Sequence, residues 1–352
     1  HTRQMCYNSD LKIWDKFKGE FEEKYYNNYI KPLFAYYNNI KIAFIGFVGN
    51  IDADIETNKN ICKIGINICP EYRNKGLGKI IVNKSIEYIK KNFPLTKKII
   101  AEIKPFNIAS NKLFLSCNFK FIKTKKWNNI DMLVYHYDIK HILILAAHPD
   151  DETLGCGGTI KRLTKDNNNY IKLLTFTNGE GARNNNKDRR EILEKVCLKL
   201  GINEFLCGDF PDNKLDSVPL LSLVKFIENN ITFIPDIIFT HHRNCNNIDH
   251  VLVYKATITA FRPQNGIPIK MLSYFIPSST DYNPFNDFRG QIYYNIEETI
   301  KDKLECLQLY DDEMRKYPHT RSYENIKNLS KVWGSEVCLK FAEKFELIRE
   351  VN

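Results

Sequence analysis

The fold of the carboxyl-terminal part is decided by the stretch His141-Ile142-Leu143-Ile144-Leu145-Ala146-Ala147-His148-Pro149-Asp150-Asp151-Glu152. Its apolar run is typical of a central parallel strand that is covered on both faces. Polar side chains follow directly, and a segment of small residues then leads into a predicted helix. Because open α/β sheets bind ligands at the carboxyl ends of their strands, the stretch predicts both a sheet and the place of a site.

Three side chains predict a metal centre there. His148 and Asp151 are three residues apart, so one turn can direct both at one point. A hydrolytic zinc site commonly uses three protein ligands, and His250, after a predicted strand at Asp236–Thr240, is the third candidate. A lone histidine is more often a core or surface residue, but the position of His250 at a second strand end favours ligation. Asp249 is predicted to cap the next helix and to orient an imidazole.

From His141 onward the chain resembles the PIG-L (LmbE-like) family of zinc-dependent sugar N-deacetylases. The family motif AHPDDE stands intact at Ala147 to Glu152. Further matching segments are Thr177–Glu180, Arg189–Glu191, Ala260–Pro263, Pro277–Thr280 and Tyr317–Ser322. The resemblance implies that His148, Asp151 and His250 bind zinc or another divalent ion, and that Asp150 is the general base.

Two departures from the family pattern affect the remaining roles. Many relatives carry a histidine where this chain has Asn247, and close relatives often carry an aspartate at the position of Cys245. His319 is therefore the candidate for the proton donor or for a clamp on the tetrahedral oxyanion. Arg262 and Arg321, together with Asn247, are candidate substrate-binding residues. Their guanidinium groups would suit a nucleotide diphosphate or a sugar carboxylate.

The amino-terminal part is predicted to form a second α/β unit. The pattern predicts strands at Lys41–Val48, Ile61–Cys69, Lys98–Ile103, Phe119–Thr124 and Met132–Ile139, and helices at Leu77–Asn92 and Ile108–Cys117. Before the first helix lies the basic turn Arg73-Asn74-Lys75-Gly76-Leu77-Gly78-Lys79. Its glycines allow backbone N–H groups to approach a phosphate, and the helix dipole adds positive charge. By pattern alone, a plain strand-to-helix turn would look similar.

The order of these elements, the basic turn and the segment Asn107–Phe119 together resemble the GNAT superfamily of acyl-CoA-dependent N-acetyltransferases. The resemblance covers roughly Lys41 to Lys140. It implies acetyl-CoA as cofactor, with the pyrophosphate on the amides of Arg73 to Gly78. It also implies that the pantetheine arm pairs with the strand near Ile68 and that Asn107 reaches the cofactor from a later loop.

This part also departs from its family at two positions. The usual glycine before the closing aromatic residue is Asn118, which adopts the left-handed conformation more readily than most residues. The tyrosine that often protonates the departing thiolate is replaced by Phe114, which cannot donate a proton. The alternative acids or bases on predicted strands are Glu102, Tyr135, His136 and Tyr137.

Length and composition fit two packed domains. The chain has 352 residues, of which 43% are hydrophobic and 26% charged, and the predicted boundary gives domains 1–139 and 140–352. The first is expected to hold a mixed sheet with helices, the second a Rossmann-like, predominantly parallel sheet with helices on both faces. The longest apolar run is far shorter than the ~18 residues of a membrane helix. Ten cysteines without a CxxC pair favour a reducing cytoplasm and no disulfide framework.

The excess positive charge lies in the residues up to Lys140, which carry a net charge of +11, whereas the residues from His141 onward carry −2, giving +9 for the whole chain. A basic surface indicates affinity for a polyanion. We interpret it as a site for a phosphorylated cofactor, because no aromatic-basic nucleic-acid motif is present. A lysine-rich solvated face is the alternative.

The two resemblances together predict a bifunctional amino-sugar enzyme. Deacetylation yields a sugar amine and acyl transfer consumes one, so the two reactions fit end to end. The expected substrate is a small acetamido sugar, nucleotide-linked, in surface glycan or nonulosonic acid-type biosynthesis. The alternatives are a deacetylase with a non-catalytic acyl-CoA-binding or docking module, a scaffold without turnover, and a basic face that binds nucleic acid. The sequence leaves the oligomeric state open, a homo-oligomer included.

Overall fold

The structure, a computed structural model, describes residues 30–49, 61–180, 188–263 and 269–351. The chain divides into two compact units between Ile139 and Lys140. Each unit contains one sheet with helices, and the predicted α/β fold class is confirmed. None of the helices in the described part of the chain combines the length and apolar character that crossing a bilayer requires.

The first unit contains a six-stranded mixed sheet in the order β1-β2-β3-β4-β6-β5. Its elements are β1 (Leu33–Tyr37), β2 (Ile40–Gly49), β3 (Ile61–Ile68), α1 (Leu77–Asn92), β4 (Lys98–Ile103), α2 (Ile108–Ser116), β5 (Lys120–Trp127) and β6 (Ile130–Asp138). Among the described strands of this sheet, β3 and β4 are the one parallel pair, and α1 connects them. Strand β1, which was not predicted from the sequence, forms a hairpin with β2. Asn38 and Asn39 make its turn with φ of 47° and 62°, as a two-residue hairpin loop requires.

The second unit contains a seven-stranded sheet in the order β12-β13-β11-β10-β7-β8-β9. Its elements are β7 (Lys140–Ala146), α3 (Asp151–Thr164), β8 (Asn169–Thr175), α4 (Arg190–Leu200), β9 (Glu204–Cys207), α5 (Leu220–Asn230), β10 (Ile237–His241), α6 (Ile248–Ala260), β11 (Lys270–Tyr274), β12 (Ile292–Asn295), α7 (Ile300–Leu307), α8 (Tyr323–Ser335) and β13 (Ala342–Glu350). Strands β11, β10, β7, β8 and β9 are parallel, and β13 and β12 add an antiparallel edge.

Strand β7 is buried on both faces, as its apolar run predicts. Ile142 and Ile144 belong to a core shared with α3, α4, α7 and α8. Leu143 and Leu145 belong to the opposite core, which α5 and α6 cover. The alternation of side chains along a strand therefore supplies both cores from one segment.

The chain reverses its direction of winding at β7. From β7 it proceeds through β8 to β9 on one side, and it then returns to β10 on the other side. The connections after β7 and β10 therefore leave the same edge of the sheet in opposite directions. Ligands of open α/β sheets bind in the crevice at such a switch point.

A buried ion pair anchors the helix that follows β7. Helix α3 is kinked at Cys156, whose φ and ψ are −146° and 20°. The carboxylate of Glu343 accepts the backbone N–H groups of Gly158 at 3.0 Å and Thr159 at 2.6 Å, just after the kink. Lys303 neutralises Glu343 at 2.6 Å and donates to the carbonyl of Leu154 at 2.8 Å. These contacts satisfy backbone groups at the kink and fix the start of α3.

Candidate metal centre and active site

A cavity of about 320 Å³ lies beside the residues that follow β7 and β10. The predicted site residues that line it are His148, Asp150, Asp151, Asn247, His250, His319 and Arg321. Arg189, Asp212, Glu313 and Arg315 line it as well. The fold thus brings together side chains from segments that are far apart in the sequence.

The three predicted metal ligands converge in this cavity. Donor atoms of His148, Asp151 and His250 lie within 4.8 Å of one another, and all three residues are buried. The Oδ2 atom of Asp151 is 3.1 Å from Nδ1 of His148, and its Oδ1 atom is 3.3 Å from Nε2 of His250. Two imidazoles and one carboxylate form a donor set that suits Zn²⁺. The residues present therefore fit a divalent cation.

Two further carboxylates orient His148. Its Nε2 atom lies 3.1 Å from Oδ2 of Asp249 and 3.3 Å from Oδ1 of Asp212. These contacts favour the proton on Nε2, which leaves Nδ1 directed at Asp151. Burial alone would lower the pKa of His148, but hydrogen bonds to Asp151 and Asp249 raise it well above its usual value. A cation that binds at Nδ1 would have to displace a proton there, and the same carboxylates would attract that cation.

The predicted cap of the helix that carries His250 was wrong. The cap of α6 is Asn247, whose Oδ1 accepts the N–H of Asp249 at 2.8 Å. Asp249 lies in the first turn and is fully buried, because its Oδ1 accepts the N–H of Leu215 at 3.0 Å while Oδ2 faces His148. Because its side chain points into the protein, Asp249 can orient the imidazole of His148, but it does not cap α6.

His250 is held in a neutral state. Burial, which outweighs the nearby Asp151 carboxylate, lowers the pKa of His250 to about 3. Its ring stacks on His241 with centroids 3.9 Å apart. His241 is fixed in turn, because its Nε2 accepts the backbone N–H of Ala147 at 2.9 Å. The stacked pair sets the ring plane of a neutral imidazole whose lone pair can bind a cation.

Asp150 has an unusual backbone conformation, with φ of 129° and ψ of −30°. Its N–H donates to Oε2 of Glu152 at 3.0 Å, and Nη1 of Arg321 donates to its Oδ2 at 3.3 Å. Burial and the adjacent Asp151 carboxylate raise the pKa of Asp150 well above its usual value, although Arg321 opposes them. A carboxyl group with a raised pKa accepts a proton more readily than an ordinary carboxylate does.

His319 has a defined tautomer. Its Nδ1 accepts the backbone N–H of Arg321 at 3.0 Å, so the proton of the neutral ring is on Nε2. Burial lowers its pKa, and the positive charges of Arg321 and Arg315 act in the same direction. His319 is therefore a neutral N–H donor on the cavity wall.

The structure separates the two arginines that were predicted to clamp a substrate. Arg321 lines the cavity between Asp150 and Glu313, at 3.3 and 3.5 Å. Arg262 is exposed beyond the carboxyl end of α6 and does not line the cavity. Helix α6 has 13 residues, so its far end lies about 20 Å from its first turn at 1.5 Å per residue. The structure does not bring Arg262 together with the other site residues.

The basic turn of the first unit has the geometry of an anion site. Gly76 precedes α1 with φ of 75°, and no side chain of the described residues caps the helix. A Cβ on Gly78 would lie 3.1 Å from Leu113, so this glycine allows close packing of α1. The Nε of Arg73 donates to the carbonyl of Ile68 at 2.9 Å and braces the turn. The first N–H groups of α1 are available to a phosphate.

Strands β3 and β4 diverge next to this turn. They pair only between Ile61–Lys63 and Lys98–Ile100, whereas β3 pairs with β2 as far as Ile68. The ladder with β4 has therefore ended well before Ile68, and an extended group could pair with this edge. Asn107 caps α2 by accepting the N–H of Ser110 at 3.2 Å.

Helix α2 carries no proton donor at the position of the missing tyrosine. Phe114 is buried and packs edge-on against Phe119, with centroids 4.9 Å apart. Glu102 pairs with Lys125 at 2.7 Å and Lys63 at 3.3 Å, which weakens its suitability as a base. Asn118 adopts φ of 66°, the left-handed conformation expected from the sequence.

Comparison with known proteins agrees with the deacetylase geometry. Residues 143–261 match the family model described as PIG-L: GlcNAc-PI de-N-acetylase. Over 175 residues the chain is 30% identical to the "Uncharacterized deacetylase YaiS" of Escherichia coli (strain K12), an alignment that covers 48% of this chain and 89% of that protein. The chain belongs to the PIG-L family.

The PIG-L match lies in the second unit, and a second family model matches the first unit. Residues 4–119 match the model of the Acetyltransferase (GNAT) family, so the resemblances found in both parts of the sequence are confirmed. Two further proteins are similar to parts of the chain. Over 85 residues the chain is 35% identical to the diacetylchitobiose deacetylase of Thermococcus kodakarensis, and this alignment covers 22% of this chain and 32% of that protein. Among solved structures, the conserved protein TT1542 of Thermus thermophilus matches with a TM-score of 0.47 and 23% identity, over 60% of this chain and 96% of that one.

Two charged residues of the cavity, Asp212 and Arg189, were not predicted as site residues, although Arg189 lies in the matching segment Arg189–Glu191. Asp212 follows β9, and its Oδ1 accepts from Thr177 at 3.1 Å besides facing His148. Arg189 precedes α4 and pairs with Asp312 and Glu313. For Asp212 the available signal was its position, since Asp212, like His148, follows the carboxyl end of a parallel strand.

Proposed function

We propose that the second unit hydrolyses the N-acetyl group of an acetamido sugar with a divalent cation, zinc, held by His148, Asp151 and His250. The observation that carries this proposal is the convergence of these three buried donors within 4.8 Å. Asp150 lies beside them on the same cavity wall. PIG-L family membership supports the reaction class.

The side chains around the donor set have different roles in the proposed reaction. A divalent cation in this set would supply Lewis acidity, which activates water and polarises an acetamide carbonyl. Asp150 takes a proton from the attacking water, and its raised pKa allows it to return that proton to the leaving nitrogen. The Nε2–H of His319 donates to the oxyanion, which agrees with its neutral state. Arg321 holds the Asp150 carboxylate in place.

The substrate class follows from the chemistry of the site and from its relatives. The name of the Thermococcus relative states an acetylated amino sugar as its substrate. The cavity volume of about 320 Å³ lies at the small end of ligand pockets, so it would enclose one sugar ring with its substituents. A nucleotide on a nucleotide-linked sugar would extend beyond it.

Mass spectrometry tests this function directly. Zinc-loaded protein is incubated with free, UDP-linked and CMP-linked acetamido sugars, and loss of one acetyl unit with release of acetate is expected. Loss of activity on chelation and its recovery with zinc would support metal dependence. Intact acetamido groups on every sugar, with protein that contains bound metal, would contradict the proposal.

We propose acyl transfer from acetyl-CoA to a sugar amine as the function of the first unit. The uncapped start of α1 after Gly76 and the divergence of β3 from β4 support this function beside the GNAT match. Deacetylation supplies an amine of the kind that acyl transfer consumes, in keeping with a role in surface glycan biosynthesis.

Measuring both the binding and the consumption of acetyl-CoA, with Gly76→Trp as a variant that is expected not to bind it, distinguishes a transferase from a binding module. Gly76→Trp puts a large side chain where the backbone has φ of 75°, so loss of acetyl-CoA binding is expected. Consumption of acetyl-CoA with an amino-sugar acceptor, abolished by Gly76→Trp, would support a transferase. Binding of acetyl-CoA without consumption would indicate a docking module instead, for which Phe114 is the feature in favour.

A further inference from the structure

Among the residues that the structure describes, three guanidinium groups line the cavity of the second unit, and carboxylates pair with two of them. Arg189 pairs with Glu313 and with Asp312 at 3.1 Å. Arg321 pairs with Asp150 at 3.3 Å and with Glu313 at 3.5 Å. Each of these two charges is compensated by the protein, so neither needs an anion from a ligand.

Arg315 differs from the other two. Its Nη1 donates to the backbone carbonyls of Met314 at 2.7 Å and Asp312 at 3.0 Å. Within the described ranges no carboxylate forms an ion pair with Arg315. Its Nη2 and Nε groups thus keep hydrogen-bonding capacity, and no carboxylate in the described part of the chain pairs with its charge on the cavity wall.

Hydrogen bonds within the loop hold the backbone around Arg315 in a fixed conformation. The N–H of Arg315 donates to the carbonyl of Arg321 at 3.2 Å, and the N–H of His319 donates to the carbonyl of Lys316 at 3.1 Å. Two carbonyls also hold the guanidinium itself. The group is therefore positioned before a ligand arrives, which lowers the entropy that binding would cost.

We infer that Arg315 is a specificity-determining residue that selects an anionic substituent, a carboxylate or a phosphate, on the acetamido sugar. The inference rests on the proposed deacetylase function. A guanidinium group presents paired N–H donors that match both kinds of anion. Because Arg315 and the donor set of His148, Asp151 and His250 line one cavity of about 320 Å³, the anion belongs to the sugar or to its first substituent.

Matched substrates test the selection. Deacetylation is measured with N-acetylglucosamine as the neutral sugar, with its 1-phosphate and 6-phosphate, and with N-acetylmuramic acid as the carboxylate. The unmodified protein should give a higher kcat/KM for at least one anionic sugar. Arg315→Gln should lower that value roughly 10- to 100-fold, the loss typical of a charged hydrogen bond, and change the value for the neutral sugar less than about twofold. Arg315→Lys should restore part of the preference, because it restores the charge without the paired donors.

Arg162→Gln is the matched control. The Nη1 of Arg162 also donates to a backbone carbonyl, that of Asn295 at 2.8 Å, but Arg162 is exposed near the carboxyl end of α3 and does not line the cavity. It should leave the ratio of anionic to neutral kcat/KM unchanged. An equal loss on neutral and anionic sugars in Arg315→Gln, or no anionic preference in the unmodified protein, would overturn the inference.

Calorimetric measurement of sugar binding tests the role of Arg315 independently of the proposed reaction. If no sugar is deacetylated, the reaction proposal fails, and binding of the same sugars to metal-loaded protein still tests Arg315. Tighter binding of a phosphorylated or carboxylated sugar that Arg315→Gln abolishes would support the anion site. Equal binding of neutral and anionic sugars by both proteins would refute it.

Discussion

Oε2 of Glu152 accepts the backbone N–H of Asp150 at 3.0 Å and thereby fixes the conformation of the proposed base. The other oxygen of Glu152 accepts from Thr153 at 2.6 Å and Tyr310 at 3.1 Å. Asp150 has φ of 129°, a region that residues with a side chain rarely adopt. The last residue of the AHPDDE motif therefore acts on the site through the backbone of the residue two positions before it.

Removal of the Glu152 carboxylate should therefore affect both stability and catalysis. Glu152→Ala leaves three donors without their acceptor, at about 1 kcal/mol each, and should lower the free energy of unfolding by about 3 kcal/mol. The kcat per metal-loaded molecule should fall more than KM changes, because Asp150 is free to relax. Glu152→Gln should recover much of both, since its carbonyl oxygen can still accept from Asp150. Chemical denaturation and steady-state kinetics measure the two effects; an unchanged kcat in folded Glu152→Ala would show that Glu152 does not position Asp150.

Asp150→Asn should separate proton transfer from metal binding. An amide cannot take the proton of water, so kcat should fall by about 10² to 10⁴. Metal content, measured by mass spectrometry of the digested protein, should stay unchanged because Asp150 is outside the set of His148, Asp151 and His250. The matched control is Asp216→Asn, which alters an exposed carboxylate and should leave kcat unaltered. More than a tenth of the original kcat in Asp150→Asn would exclude Asp150 as the base.

The sheet and the convergence of the three candidate metal ligands could be predicted because their signals are local. The apolar run Ile142–Ala147 is continuous, and alternate residues of β7 do enter opposite cores. His148 and Asp151 follow the strand within one turn, which places both at the switch point. The prediction of His250 required only that a second strand, β10, end beside β7.

The rest of the site depends on long-range packing that leaves no periodic signal. Arg315 reaches the cavity from a loop between α7 and α8. The Lys303–Glu343 pair that anchors α3 joins α7 to β13. Arg262 was misplaced because a motif does not reveal how far a helix carries a residue from its first turn. Asp249 was assigned as a cap because its side chain alone does not reveal that it turns inward.

Metal removal should destabilise the second unit. A cation that binds only the folded state stabilises it by about 3 to 4 kcal/mol at 100 to 1,000 times its Kd, so a chelator should lower the melting temperature. Asp151→Asn should abolish this response, because Asp151 contacts both His148 and His250. Asp216→Asn should keep it. A melting temperature that is insensitive to chelator in protein shown to bind metal would contradict a buried site at this position.

The fit of α3 against β11 should make Gly155 intolerant of any side chain. A Cβ there would lie 2.4 Å from Cδ2 of Tyr274, and the ring cannot withdraw, because it is fully buried and its hydroxyl donates to the carbonyl of Leu145 at 2.7 Å. Gly155→Ala should therefore lower the free energy of unfolding by about 1 to 3 kcal/mol and weaken metal binding by shifting Asp151 at the start of the same helix. Gly65→Ala is the matched control, since a Cβ at Gly65 meets nothing within 4 Å. Replacing Tyr274 by Leu in the Gly155→Ala background should restore metal affinity if crowding is the cause, and equal denaturation midpoints for Gly155→Ala and Gly65→Ala would show that the helix is not seated against this ring.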